Sequence, residues 1–180
     1  MTDMYENHRY LGNATTFIPD SIGNPGSRYF YIDVGSEQGD VRMWLEKEQL
    51  LQVGAYLKQS LKGSLSSPEE WGPLTTADID SSTAERWELY LVSMTAGFDP
   101  RESQFSIIVE GMDVASEVTL WFSFNVEQDQ IDNCADVAFD VCAAGRPRCI
   151  LCGSPIEPDS DHVCARYNGH FPGVAWESSE

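Results

Sequence analysis

The sequence predicts an α+β fold: an antiparallel sheet built from two strand–strand–helix units, helices on one side, with a small zinc knuckle at the C-terminus. Three observations lead there. Short runs of alternating aromatic and β-branched residues recur in both halves. Each half also holds one helical period, and a cysteine–histidine cluster closes the chain.

The elements follow in order. Residues 1–26 are rich in turn formers and end in Ile22-Gly23-Asn24-Pro25-Gly26. Residues 28–34 (Arg-Tyr-Phe-Tyr-Ile-Asp-Val) read as a strand, with residues 35–39 as a hairpin loop and 41–45 as the return strand. A helix is expected over 47–62, where Leu50, Gly54, Leu57 and Leu61 share one stripe. Gly63 and the Ser64-Leu65-Ser66-Ser67-Pro68 cluster terminate it. Residues 63–84 are a polar connection, long for a compact domain. Strands are expected at 86–94, 104–110 and 117–124, then a helix over 126–144 capped by Asn125 with Gln128 at the capping-box position. Ile131, Cys134, Ala135, Ala138 and Cys142 line its apolar face, and Gly145 and Pro147 end it.

The halves look alike. Val41-Arg42-Met43-Trp44-Leu45 before a helix parallels Val118-Thr119-Leu120-Trp121-Phe122 before a helix. A hairpin cannot bury its own face, so each helix would cover one. Residues 1–145 therefore form the α+β domain and 146–180 the knuckle tail. Trp44 and Trp121, at alternating strand positions, read as core rather than ligand platform.

In the tail, Cys149, Cys152, His162 and Cys164 make the pattern C-x2-C-x9-H-x-C. Thiolates and an imidazole at such spacing suit a tetrahedral Zn²⁺. Four protein ligands leave no position for water or substrate, so the zinc is structural. Gly153, directly after the second cysteine, suits the tight turn of a knuckle. His170 is the alternative fourth ligand, giving C-x2-C-x11-C-x5-H. A redox C-x2-C would open a helix, where the helix terminus lowers the thiol pKa, whereas prolines flank this pair. Cys134 and Cys142 read as buried, inert thiols.

The charge balance excludes several functions. Twenty-nine acidic residues against eleven basic give a net charge of −18, which repels phosphate backbones and anionic lipid headgroups. Generic nucleic-acid and membrane binding are disfavoured, and no apolar run is long enough to span a bilayer. The first residues lack a signal-peptide pattern, and five cysteines argue against a disulfide framework. The expected setting is a reducing cytoplasm, and the expected partner is another protein with a basic surface.

A second candidate site is the loop 19–28. Asp20, Asn24 and Arg28 flank a glycine-bearing turn entering a strand, an arrangement able to hold a phosphate or carboxylate. It lacks the Lys-Ser/Thr of a phosphate loop, and no helix follows it. No nucleophile motif is present, and of three histidines two lie in the tail.

Several segments resemble a bacterial family of this length, found largely in actinobacteria and Chloroflexi and known as a domain of unknown function. They are Gly23-x-Pro25-Gly26-x-Arg28-x-Phe30-Tyr31 and Trp44-Leu45-Glu46-Lys47-Glu48-Gln49-Leu50. The tail adds Cys149-x-Leu151-Cys152-Gly153-x-Pro155 and His162-Val163-Cys164-x-Arg166-x-Asn168-Gly169. The resemblance implies His162, not His170, as the fourth ligand, and implies no activity. Ile150, Asp161 and Ala165 replace residues usual in that tail, which alters turn stiffness and spares the ligands.

Overall fold

The computed structural model describes residues 7–24, 27–63, 86–100, 102–144, 149, 151–152 and 163–164. The chain divides into two compact units, Met1–Cys142 and Ala143–Glu180.

In the first unit six strands close into a barrel in sequence order: β1 (His8–Asn24), β2 (Ser27–Ser36), β3 (Gly39–Leu45), β4 (Arg86–Asp99), β5 (Gln104–Asp113) and β6 (Thr119–Val126). Neighbours are antiparallel except at β3–β4 and β6–β1, which are parallel. Helix α1 (Lys47–Ser60) follows β3, and α2 (Gln128–Ala143) follows β6. The α+β class and the mainly antiparallel pairing are as expected. The strand count and the closure go beyond that expectation: three strands, not two, precede each helix, and the outer strands pair with each other to close the barrel.

The additional strand is β1, expected to be turns. Its sequence carries Gly12, Asn13 and Pro19, all poor strand formers. Gly12 has a φ of +71° and sits where the pairing register slips, between Tyr10 and Asn13. Pro19 is tolerated because its pairing to β6 stops at Asn13, so its ring stands beside no second strand while its other side faces Ile32 of β2. The turns expected at residues 97–100 and 111–113 are likewise absorbed largely into β4 and β5.

Strand alternation fills the barrel. Phe30, Ile32 and Val34 of β2, Val41, Met43 and Leu45 of β3, and Phe105, Ile107 and Val109 of β5 are all buried. Trp44 takes the other phase. It lies half-buried on the outer wall against Tyr31, ring centroids 5.3 Å apart, and Trp121 is half-buried outside the core as well, which corrects the assignment of both to the core.

Both helices add their apolar stripes to the same core: Leu50 and Leu57 from α1, and Ile131, Cys134 and Ala138 from α2. They lie against the barrel where β3 and β6 finish, held by Tyr56 Oη accepting from the Ala96 N–H at 2.9 Å and Gln130 Nε2 donating to the Ala14 carbonyl at 2.9 Å. They run antiparallel: the Cys142 thiol near the end of α2 meets the Lys47 carbonyl at the start of α1. The contact closes at Gly54, where a Cβ would sit 3.3 Å from the Phe139 ring. Each helix starts with the same local device. The Glu46 N–H donates to Gln49 Oε1, and the Glu127 N–H to Gln130 Oε1, both at 2.8 Å. The expected cap at Asn125 is thereby corrected: Asn125 lies in β6 and donates to Tyr10 Oη at 2.8 Å. Among the described residues, no helix is long and apolar enough to cross a membrane.

Candidate functional site

Two places in the structure concentrate chemistry. The first is in the tail. The sulfurs of Cys149, Cys152 and Cys164 all lie within 4.8 Å of one another. Cys149 and Cys164 are each 3 % exposed, with Sγ atoms 3.7 Å apart, and Cys152 packs half-buried against both. A metal–sulfur bond of about 2.3 Å in a tetrahedron demands a sulfur–sulfur edge of about 3.8 Å. A disulfide would need about 2.05 Å. The pair is therefore too far apart for a disulfide and has a spacing compatible with metal ligands. Three thiolates form a soft donor set able to hold a metal ion. His162 and His170 lie outside the described residues.

The remaining cysteines belong to the helical layer, as the sequence indicated. Cys134 is buried in α2, and burial pushes its thiol pKa far up, which keeps it protonated and inert.

The loop 19–28 is the tip of the β1–β2 hairpin, with Asn24 opposite Ser27 and Gly23 opposite Arg28. Gly23 has a φ of +112°, and a Cβ there would sit 2.3 Å from the Ser27 carbonyl oxygen, so the tip requires glycine. Each of the three polar residues has its own described surroundings. The Asp20 carboxylate accepts from the Ser21 N–H at 2.7 Å and from Tyr31 Oη at 3.3 Å. Burial, then the charge of Asp20, raises the Tyr31 pKa. Asn24 is exposed at the tip. The Arg28 guanidinium donates to the Val141 carbonyl at 3.5 Å, towards the negative end of the α2 dipole.

Arg28 instead contributes to a second place, a cleft of about 490 Å³ on the outer wall. Tyr29 and Trp44 supply aromatic walls from β2 and β3, and Glu88 and Tyr90 come from β4. Glu46 and Gln49, at the start of α1, close one side. The strand register places these groups together. Asp20, Tyr31, Trp44, Tyr90 and Met112 are successive cross-strand partners, one level of the barrel wall. Asp33, Arg42 and Glu88 form the adjoining level. The Trp44 indole N–H donates to Glu88 Oε2 at 3.0 Å. Arg42 stacks 3.9 Å from the Tyr31 ring centroid while Asp33 grips it with bonds of 2.8 and 2.7 Å, which raises its pKa further. Sequence reasoning missed Tyr29, Glu88 and Tyr90. Their alternation was visible, but the parallel register that sets β4 beside β3 was not.

One histidine lies outside the tail. His8 Nε2 shares a 2.9 Å hydrogen bond with Ser123 Oγ, but Ser123 is 1 % exposed. A hydroxyl with no access to substrate is a packing group, and burial lowers the His8 pKa.

Comparison with curated proteins gave no match, and neither did comparison with solved structures. A family model described as protein of unknown function (DUF3090) matches residues 9–164, nearly the whole barrel and the cysteine cluster, and the chain belongs to that family.

Proposed function

We propose that this protein is a cytoplasmic protein-binding adaptor whose tail is ordered by one structural Zn²⁺. The ligands are Cys149, Cys152 and Cys164, with His162 as the fourth. The observation that carries the reading is the convergence of three sulfurs within 4.8 Å, two of them buried. Three thiols that close would repel one another on ionising, and a divalent cation offsets that charge. When bound, zinc would neutralise the thiolates and tie together segments too short to build a core of their own. A site of four protein ligands orders the chain without offering a vacancy for substrate. Zinc held by thiolates suits a reducing compartment.

The adaptor role follows from what surrounds that scaffold. A chain of net charge −18 favours basic protein surfaces over nucleic acid or membrane. The cleft on the barrel wall offers aromatic side chains at the surface, the residue types that anchor protein interfaces. Native mass spectrometry with metal analysis on gently purified protein tests the reading. One zinc per chain and a co-purifying polypeptide support it; protein that is metal-free after preparation in reducing buffer containing zinc sinks it.

A second reading is a binder or enzyme for a phosphate- or carboxylate-bearing small molecule, reached through residues 19–28. Its support is Arg28 in the cleft wall. Glu46 and Glu88 in the same cleft oppose an anion, and Asp20 and Asn24 are absent from the described lining. Titration with inorganic phosphate, read on the Arg28 side-chain resonance, separates the two.

A further inference from the structure

We infer that the cleft between β2, β3, β4 and the start of α1 is an arginine-binding site, and that its occupant is a basic segment of a partner polypeptide. The inference rests on the protein-binding reading above but not on the metal.

The wall already contains one completed example of this chemistry. Arg42 lies 3.9 Å from the Tyr31 ring centroid and 5.4 Å from that of Trp44, with its Nε and one terminal nitrogen both donating to the Asp33 carboxylate. Aromatic face, guanidinium and carboxylate together form one unit of recognition. The neighbouring cleft repeats two of the three components. Tyr29 and Tyr90 stand at the surface, 69 % and 51 % exposed. Glu88 is positioned by the Trp44 indole, and Glu46 lines the same cleft from the helix start. The third component, a cation between rings and acids, is what the partner would bring.

Charge decides the kind of occupant. Two carboxylates line the cleft against a single described guanidinium, that of Arg28, which already donates to the Val141 carbonyl. The whole chain reinforces the sign, with 29 acidic residues against 11 basic. An anionic ligand would have to approach against both. A neutral apolar segment would strip water from the Glu46 and Glu88 carboxylates and bring no positive charge in exchange, which is costly. A basic side chain satisfies the acids and stacks on the rings. Arginine is favoured over lysine because its planar group can stack and bridge a carboxylate at once. A volume of about 490 Å³ accommodates such a side chain with its flanking backbone.

The test uses the full chain and two blocked peptides, hexa-arginine and hexa-citrulline, which match in shape and differ in charge. Binding is read from the Trp44 indole N–H resonance. Hexa-arginine is expected to shift it and hexa-citrulline to leave it in place. Tyr90→Ala and Glu88→Gln should each weaken hexa-arginine about five- to tenfold, the scale of one partly desolvated cation–π or charge contact. Tyr90→Phe, which keeps the ring, should retain binding within about twofold. Asp129→Asn, an exposed acid on α2, is the control for diffuse attraction. Losses as large for Asp129→Asn as for Tyr90→Ala would overturn the site, since they mark unspecific charge pairing. So would an indole that responds to inorganic phosphate and not to hexa-arginine. If a protein partner is found and still binds the Tyr90→Ala and Glu88→Gln chain, the adaptor reading stands and only the cleft is removed from it.

Discussion

Cys149 and Cys164 are fifteen positions apart in sequence and bring their sulfurs to 3.7 Å. Two uncharged thiols gain little from that approach, since S–H is a weak donor. A bound cation would give the approach a purpose. Protein prepared in reducing buffer with zinc should carry one ion per chain. Cys152→Ala and Cys164→Ala should each reduce that to near zero, measured by native mass spectrometry. His162→Gln should weaken the site less than either cysteine change if His162 completes the set.

Chelation should act locally. The barrel has its own core of strand and helix residues, whereas the described tail cluster consists of three cysteines. Adding a strong zinc chelator should expose residues 143–180 to limited proteolysis and leave the far-ultraviolet circular dichroism of the barrel almost unchanged. Simultaneous loss of both would show that the barrel depends on the metal.

Gly54 sets the distance between the helices. Its missing side chain would meet the Phe139 ring at 3.3 Å and the Ala135 carbonyl at 3.4 Å. Gly54→Ala gains helix propensity of about 0.8–1 kcal/mol and strains that contact, so the net change should stay below about 1 kcal/mol. Gly54→Leu should destabilise by about 1–3 kcal/mol, since the helices must separate. Urea unfolding of the pair measures both, and an equal midpoint for the two variants would show that this contact is soft.

His8 links stability to pH. Burial holds its pKa below the ordinary 6.5, so the unfolded chain takes up the proton first as pH falls. Its contribution is present above pH 6.5 and is lost as pH drops through the folded pKa. The melting-temperature difference between the native chain and His8→Ala should shrink on acidification from pH 7.5 to 5. A difference that grows on acidification would reverse the assignment.

Lys58 lies 2.6 Å from Asp132 and 2.7 Å from Asp136, bridging the exposed edges of the two helices. These hydrogen bonds, first to Asp132 and then to Asp136, raise its pKa. The contacts are surface ion pairs and should be screened. Lys58→Met should lower the melting temperature slightly at low ionic strength and not at all in molar salt. A loss that persists in high salt would mean that the lysine stem, not its charge, joins the helices.

Local patterning carried much of this structure. The alternation of Phe30, Ile32 and Val34, and the stripe of Leu50, Gly54 and Leu57, are set by the strand and helix periods, and their burial agrees with both. The cysteine spacing showed which thiols would meet, because a C-x2-C turn and a short return loop need few residues to close. β1 stayed hidden because Gly12, Asn13 and Pro19 speak locally for turns, and only pairing with β2 and β6 overrides them. The helix-start signal was read two residues early at the second helix, where Asn125 is the better isolated cap but is held in β6 by the strand ladder.

By itself, the sequence determined the α+β class, both helices, most of the strands, the inert cysteines of α2 and the grouping of the three tail thiols, since each follows from periods and spacings a few residues long. Tertiary structure alone decided that the strands close into a barrel, that Trp44 faces outward, and that Tyr29, Glu88 and Tyr90 meet around one cleft. Those outcomes hinge on which strands become neighbours. The β3–β4 pairing joins segments more than forty residues apart, and no local preference records that choice.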